Sequence, residues 1–229
     1  MDKGTFIGVG VGPGDPDLMT LKAVKTIEGA DVLMLPAEDK ASCRAYKIAA
    51  GECKGIGDKE CIFEPFPMKM DRDELALFHE RVAKKTEGYL DKGLNVVFLT
   101  IGSPSMYSTF DYVEKIVKDD GYKTERVSGV PSFIAAADRL DMSLGENGRP
   151  VHIIPGSQDA DEALRLDGTK VFMKTGRKLS DLKEALVRHE REGGRTAGIA
   201  ECTLSGEEMV FSAADIPDDW GYMNIIIAD

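Results

Sequence analysis

The sequence is poor in the features that most quickly narrow a protein's role. Its four cysteines, Cys43, Cys53, Cys61 and Cys202, form no CxxC pair and have no histidine nearby. That pattern predicts free thiols in a reducing cytoplasm rather than a disulfide framework or a zinc site. The three histidines, His79, His152 and His189, lack metal-ligand spacing, so no metal site is expected. His79 and His189 lie in charged helical segments and read as surface residues, whereas His152 reads as a hydrogen-bonded strand histidine. No charged-then-apolar leader and no apolar run of membrane-spanning length is present, so no membrane association is expected. Positive charge is short: 29 Lys and Arg face 40 Asp and Glu, for a net charge of −11. Such a balance argues against a nucleic-acid partner, because a phosphate backbone rewards a basic surface. Long repeats and low-complexity tracts are missing too.

What is there is a regular alternation of strand-like and helix-like segments built on a 42% hydrophobic composition. Residues 5–30 read as a strand, a glycine-rich turn and a helix: an apolar run from Thr5 to Val11 stops at Gly12-Pro13-Gly14. Asp15 is placed to cap a helix with Pro16 at its first position, and Leu18, Leu21, Val24 and Ile27 recur at helical spacing. The glycines at 8, 10, 12 and 14 remove side chains where backbone turns sharply or meets a ligand. They do not form the dinucleotide fingerprint, since the required third glycine is replaced by Pro13 or Asp15. Two further joints share the design. An apolar strand at 96–101 runs into Gly102-Ser103-Pro104, and a strand to Val127 runs through Ser128-Gly129-Val130-Pro131-Ser132 into an alanine-rich helix. In an open parallel sheet ligands bind where such loops converge, beyond the carboxyl ends of the strands. Other strands are predicted at 31–35 and 60–64, with helices at 42–50 and 71–92. Leu75, Phe78, Val82 and Tyr89 form the inward face of the last.

The polar turn at 145–150 is a natural hinge, and the expected domains are 1–146 and 147–229. Beyond it, strands are predicted at 151–154, 170–174, 196–202, 208–211 and 222–228, with helices at 159–166 and 179–190. The connection from Cys202 to Glu208 is of hairpin length and too short for a crossover helix. The predicted fold class is therefore α/β, with a parallel five-stranded sheet first and a smaller mixed sheet second.

With these residues placed, the sequence resembles the tetrapyrrole methylases, and within them the branch that methylates C-20 in corrin-ring synthesis. The resemblance rests on GVGPGDPDLMTLKAVKTIEGADVLMLP, GSPSMYSTF, SGVPSFIAAA, VFMKTGR and YMNIII, and it spans the chain. It implies a homodimer with S-adenosyl-L-methionine in a cleft between the domains. It also implies donor contacts from Pro36, Ile101, Gly102, Ser103, Met106, Tyr107, Pro131, Ser132, Met173, Ala200 and Asn224. Gly12, Pro13, Gly14, Asp15 and Arg44 are expected to face the tetrapyrrole. Ser103 is a departure, because most members have aspartate there; a neutral hydroxyl replaces a carboxylate acceptor.

Methylation of an enamine-like ring carbon requires alignment with the sulfonium methyl and loss of a proton from the ring. Asp15, Tyr107 and Glu201 are candidates by position. Each has a competing structural role: helix cap, packed aromatic and strand-end surface charge. The acceptor carries many carboxylates, so Lys22, Lys40, Arg44, Lys47, Lys174 and Arg177 are candidate counter-charges. Two alternatives stay open. One is a methylase of the same family acting elsewhere, on another ring carbon, a protein side chain or ribosomal RNA. The other is a non-catalytic tetrapyrrole binder, which would bind the ring without producing S-adenosyl-L-homocysteine.

Overall fold

The structure is a computed structural model that describes residues 2–67 and 71–229. It divides into two compact units, residues 1–131 and 132–229. The division falls earlier than the predicted turn at 145–150, because α5 (Ser132–Arg139) packs on β10 (Asn224–Ala228) and so belongs with the second unit.

The first unit contains β1 (Thr5–Gly10), β2 (Val32–Leu35), β3 (Glu60–Phe63), β4 (Val96–Thr100) and β5 (Lys123–Val127). They form one sheet in the order β3-β2-β4-β1-β5. Every pairing is parallel, with Val9 opposite Leu99 on one side and Val127 on the other. Helices α1 (Leu21–Glu28), α2 (Arg44–Glu52), α3 (Arg72–Leu90) and α4 (Phe110–Asp119) connect the strands. Two apolar layers bury the sheet on both faces, as its near-continuous apolar strands require. One contains Val9, Ile27, Leu33, Ile48 and Leu99; the other contains Phe6, Val82, Phe98, Phe110 and Val113. Gly8 sits under Phe110, where an added Cβ would come within 2.5 Å of the ring.

Two local expectations are corrected. The first helix does not run on from Pro16. Asp15 caps only a 3-10 turn at Pro16–Leu18, and Thr20 then caps α1 by accepting from the Ala23 amide at 3.1 Å. The helix therefore buries Ala23 and Ile27, while Leu21 is 78% exposed. His79 is not a surface residue. It is 7% exposed and stacks on Tyr112 at 4.8 Å between ring centres, beside Phe66 and Phe78. Burial pushes its pKa below the usual histidine value.

The second unit adds β6 (Val151–Pro155), β7 (Thr169–Met173), β8 (Thr196–Ala200), β9 (Glu208–Val210) and β10, with helices α6 (Ala160–Leu164) and α7 (Leu179–Arg191). The order is β6-β7-β10-β8-β9. Strand β6 is parallel to β7; β10 is antiparallel to both neighbours, and β8 and β9 pair as the predicted antiparallel hairpin. The sheet is mixed, as expected. His152 is bonded to the Asp167 carbonyl at 2.8 Å, as a strand histidine should be, and His189 to the Asp229 carbonyl at 2.9 Å. The four thiols are free, and burial pushes Cys53 and Cys202 up to about 11.

Candidate active site

Because the first sheet is entirely parallel, the loops that leave β1, β2, β4 and β5 all start from one end. Gly12–Asp15, Pro36, Ile101–Tyr107 and Pro131 therefore share that end. Three of these loops are locked backbone to backbone. Val11 N–H donates to the Thr100 carbonyl at 2.9 Å, Gly12 N–H to the Gly102 carbonyl at 3.3 Å, and Gly102 N–H back to the Gly12 carbonyl at 2.7 Å. Gly12 and Gly102 reach this pairing at φ of 81° and 70°, which favours glycine. Gly129 of the third loop enters the same knot: an added Cβ would lie 2.1 Å from the Gly102 carbonyl oxygen and 2.7 Å from the Gly10 carbonyl carbon. A side chain at Gly10 would equally strike Gly102 and Gly129. The glycines at 8 and 10 thus make room for protein atoms rather than for a ligand.

The knot narrows what Gly102 can offer. Its N–H is already committed to Gly12, leaving Cα and the carbonyl's second lone pair for any ligand contact. Ser103 next to it is buried, and its carbonyl accepts from the Met106 amide at 3.2 Å. The loop is fastened at its far end by Ser108, whose hydroxyl donates to Thr100 Oγ1 at 3.1 Å and accepts from the Phe110 amide at 3.2 Å. Between these anchors Tyr107 adopts a left-handed φ of 49° and is 44% exposed, not the packed aromatic expected. Asp15 lies in the loop that starts with Gly12, its carboxylate accepting from the Asp17 amide at 3.0 Å. Arg44 opens α2 and is exposed, as are Lys22 and Lys47. Lys40 is drawn instead to the Gly57 carbonyl at 2.7 Å.

In the second unit Met173, Ala200 and Asn224 meet at one end of the sheet. Asn224 stands opposite Ala200, and its neighbour Ile225 stands opposite Met173. That rim is strained. Lys174, Glu201 and Thr203 all have left-handed φ, at 59°, 47° and 62°, an arrangement that persists only when surrounding contacts over-determine it. Glu207 supplies one such contact. Its carboxylate accepts from the Thr203 amide at 2.8 Å and from Arg139 Nε at 2.9 Å. The Arg139 guanidinium holds the Glu207 carboxyl below its ordinary pKa, with help from the Thr203 amide. Lys174 Nζ lies 5.4 Å from the centre of the Tyr222 ring. The side chain of Arg177 lies outside the described residues. Glu207 lies outside every motif read in the sequence, and Thr175 and Tyr222 lie within VFMKTGR and YMNIII without a role assigned there; their partners are fixed by the fold, not by local spacing. Among the described residues no three His, Cys, Asp or Glu side chains cluster as metal ligands would, and no helix is long and apolar enough to cross a membrane.

The fold and the loop placement define a two-unit α/β protein with candidate ligand loops at the carboxyl ends of a parallel sheet. The family model of tetrapyrrole (corrin/porphyrin) methylases matches residues 5–216. The chain belongs to that family. It is 34% identical over 210 residues to the "Probable cobalt-precorrin-2 C(20)-methyltransferase" of Methanocaldococcus jannaschii, covering 91% of this chain and 87% of the relative. It is 27% identical to the cobalt-precorrin-2 C(20)-methyltransferase of Salmonella typhimurium, covering 99% and 92%. Among solved structures it is similar to the Thermus thermophilus uroporphyrin-III C-methyl transferase complexed with S-adenyl homocysteine. The TM-score is 0.71 at 19% identity, over 98% of this chain and 97% of that one.

Proposed function

We propose that the protein transfers a methyl group from S-adenosyl-L-methionine to C-20 of precorrin-2 or its cobalt chelate, in cobalamin biosynthesis, as a cytoplasmic homodimer. The observation that carries this reading is the identity to C-20 enzymes, 34% over 91% of the chain in one case and 27% over 99% in the other. When bound, the donor supplies the methyl group together with its own leaving group, S-adenosyl-L-homocysteine. The chain's task is then orientation and exclusion of water, and the interlocked loops of the first unit are suited to it because their backbone has no slack. The donor contacts named on resemblance, from Pro36 to Asn224, are part of this proposal. So is the assignment of Asp15 or Tyr107 to the proton lost from C-20, with Gly12, Pro13, Gly14 and Arg44 facing the ring. Ser103, buried and neutral, stands where the family resemblance leads one to expect a carboxylate, so donor binding falls more heavily on backbone groups.

The test is anaerobic incubation with S-adenosyl-L-methionine and, separately, metal-free precorrin-2 and cobalt-factor II, reading product mass and the position methylated. One added methyl at C-20 is the expected result, and the acceptor that turns over fixes when cobalt enters. Methylation at another carbon, or donor binding without transfer to either ring, overturns the C-20 assignment. In the same assay Asp15→Asn or Tyr107→Phe should lower kcat by about 100-fold, within the usual range for loss of a general base. The affected variant identifies the proton acceptor.

A further inference from the structure

The end of β7 and the start of β10 are joined by a buried polar pair. Thr175, 1% exposed, lies 2.6 Å through Oγ1 from Oδ1 of Asn224, which is 4% exposed. The other end of the Asn224 amide, Nδ2, donates to the Gly221 carbonyl at 2.6 Å. These two contacts fix the amide uniquely. A backbone carbonyl only accepts, so Gly221 requires the NH2 group on its side; Thr175 must then donate its hydroxyl proton to Oδ1. The reverse orientation would set Oδ1 against the Gly221 oxygen, two acceptors with no hydrogen between them. One Nδ2 hydrogen and one Oδ1 lone pair remain, aimed in directions that the protein has already chosen.

The backbone that carries Thr175 is itself held. Lys174 before it is left-handed, and the Gly156 amide donates to the Met173 carbonyl at 2.7 Å. Gly156 also sits so close that an added Cβ would fall 2.4 Å from Thr175 Cα. The Lys178 amide closes the following turn on the Thr175 carbonyl at 2.8 Å. A threonine that only filled space would need none of this directionality.

We propose that Thr175 is a positioning residue for donor binding. It holds the Asn224 amide in the orientation that recognises S-adenosyl-L-methionine, while itself staying out of contact with the donor. The proposal rests on the donor reading of Asn224 given above. It predicts that the hydroxyl, rather than the bulk, of residue 175 sets donor affinity.

The experiment is calorimetric titration of the intact chain with S-adenosyl-L-homocysteine, for wild type, Thr175→Val and Thr175→Ser, with Tm recorded for each. Loss of one buried hydrogen bond should weaken binding by about tenfold in Thr175→Val. Thr175→Ser, which keeps the hydroxyl, should stay within about twofold of wild type on the same reasoning. In turnover the same split should appear as a raised donor KM with little change in kcat. If Thr175→Val does not fold, Thr175→Ala takes its place with the same expected order. Wild-type binding that Thr175→Val retains in full, with only Tm lowered, overturns the positioning role and leaves the donor reading intact. Failure of folded wild type to bind S-adenosyl-L-homocysteine overturns the donor reading and this proposal with it.

Discussion

The two units build their candidate ligand rims in opposite ways. In the first, the rim is backbone: Gly10, Gly12, Gly102 and Gly129 touch one another with no side chain between them. In the second it is side chain: Thr175 holds Asn224, and Glu207 holds Thr203 and Arg139, across a backbone that bends left-handed at ordinary residues. A backbone knot tolerates no added atom but is indifferent to most chemistry nearby. A side-chain rim tolerates changes of size and is sensitive to the loss of a single donor or acceptor.

Gly129→Ala attacks the first rim directly. Its methyl would need to occupy the position of the Gly102 carbonyl, so a loss of at least about 3 kcal/mol is expected in chemical denaturation, at the upper end for overpacking. Gly57→Ala, with no atom within 4 Å of the new methyl, should be nearly silent and serves as its control. Equal effects from the two would show that the knot is loose.

Glu207→Gln attacks the second rim and should cost about 1.5 kcal/mol, the low end for a hydrogen bond to a charged group because Arg139 is half exposed. The effect depends on pH. The Glu207 carboxyl has a folded pKa below its ordinary value of 4.5, so its stabilisation is present above that value and lost as pH falls through the folded one. The wild-type and Glu207→Gln denaturation curves should therefore converge in acid. A constant gap down to pH 3 would mean that the charge is irrelevant.

The same contrast explains what the sequence reveals. Strand periods and glycine-rich joints are local signals, so the parallel sheet, the hairpin of β8 and β9, and the first rim could all be read from residues close together in the chain. The second rim depends on pairs such as Thr175 and Asn224, 49 positions apart, which acquire meaning only once β10 lies beside β7. His79 was misread for the same reason: its helix is rich in charge, and two of the rings that bury it, Phe66 and Tyr112, come from other segments. The start of α1 was obscured differently. Both Asp15-Pro16 and Thr20 are valid helix openings, and the chain uses the first for a 3-10 turn and the second for the helix.

Strand order also dictates how the molecule can be assembled. In the first sheet β4 separates β2 from β1, and in the second β10 separates β7 from β8. In each sheet a later strand is therefore inserted between two earlier ones, so the centre of neither sheet can zip up from a hairpin outward. Strand β5 still joins the edge of the first, and β8 and β9 can pair before β10 arrives. Until residues 96–100 arrive, β1 and β2 have open apolar edges facing one another, and β7 and β8 wait in the same way for residues 224–228. Such an order makes folding slow and leaves sticky edges open to other chains. A growing polypeptide of this design spends its vulnerable time waiting for its two keystones.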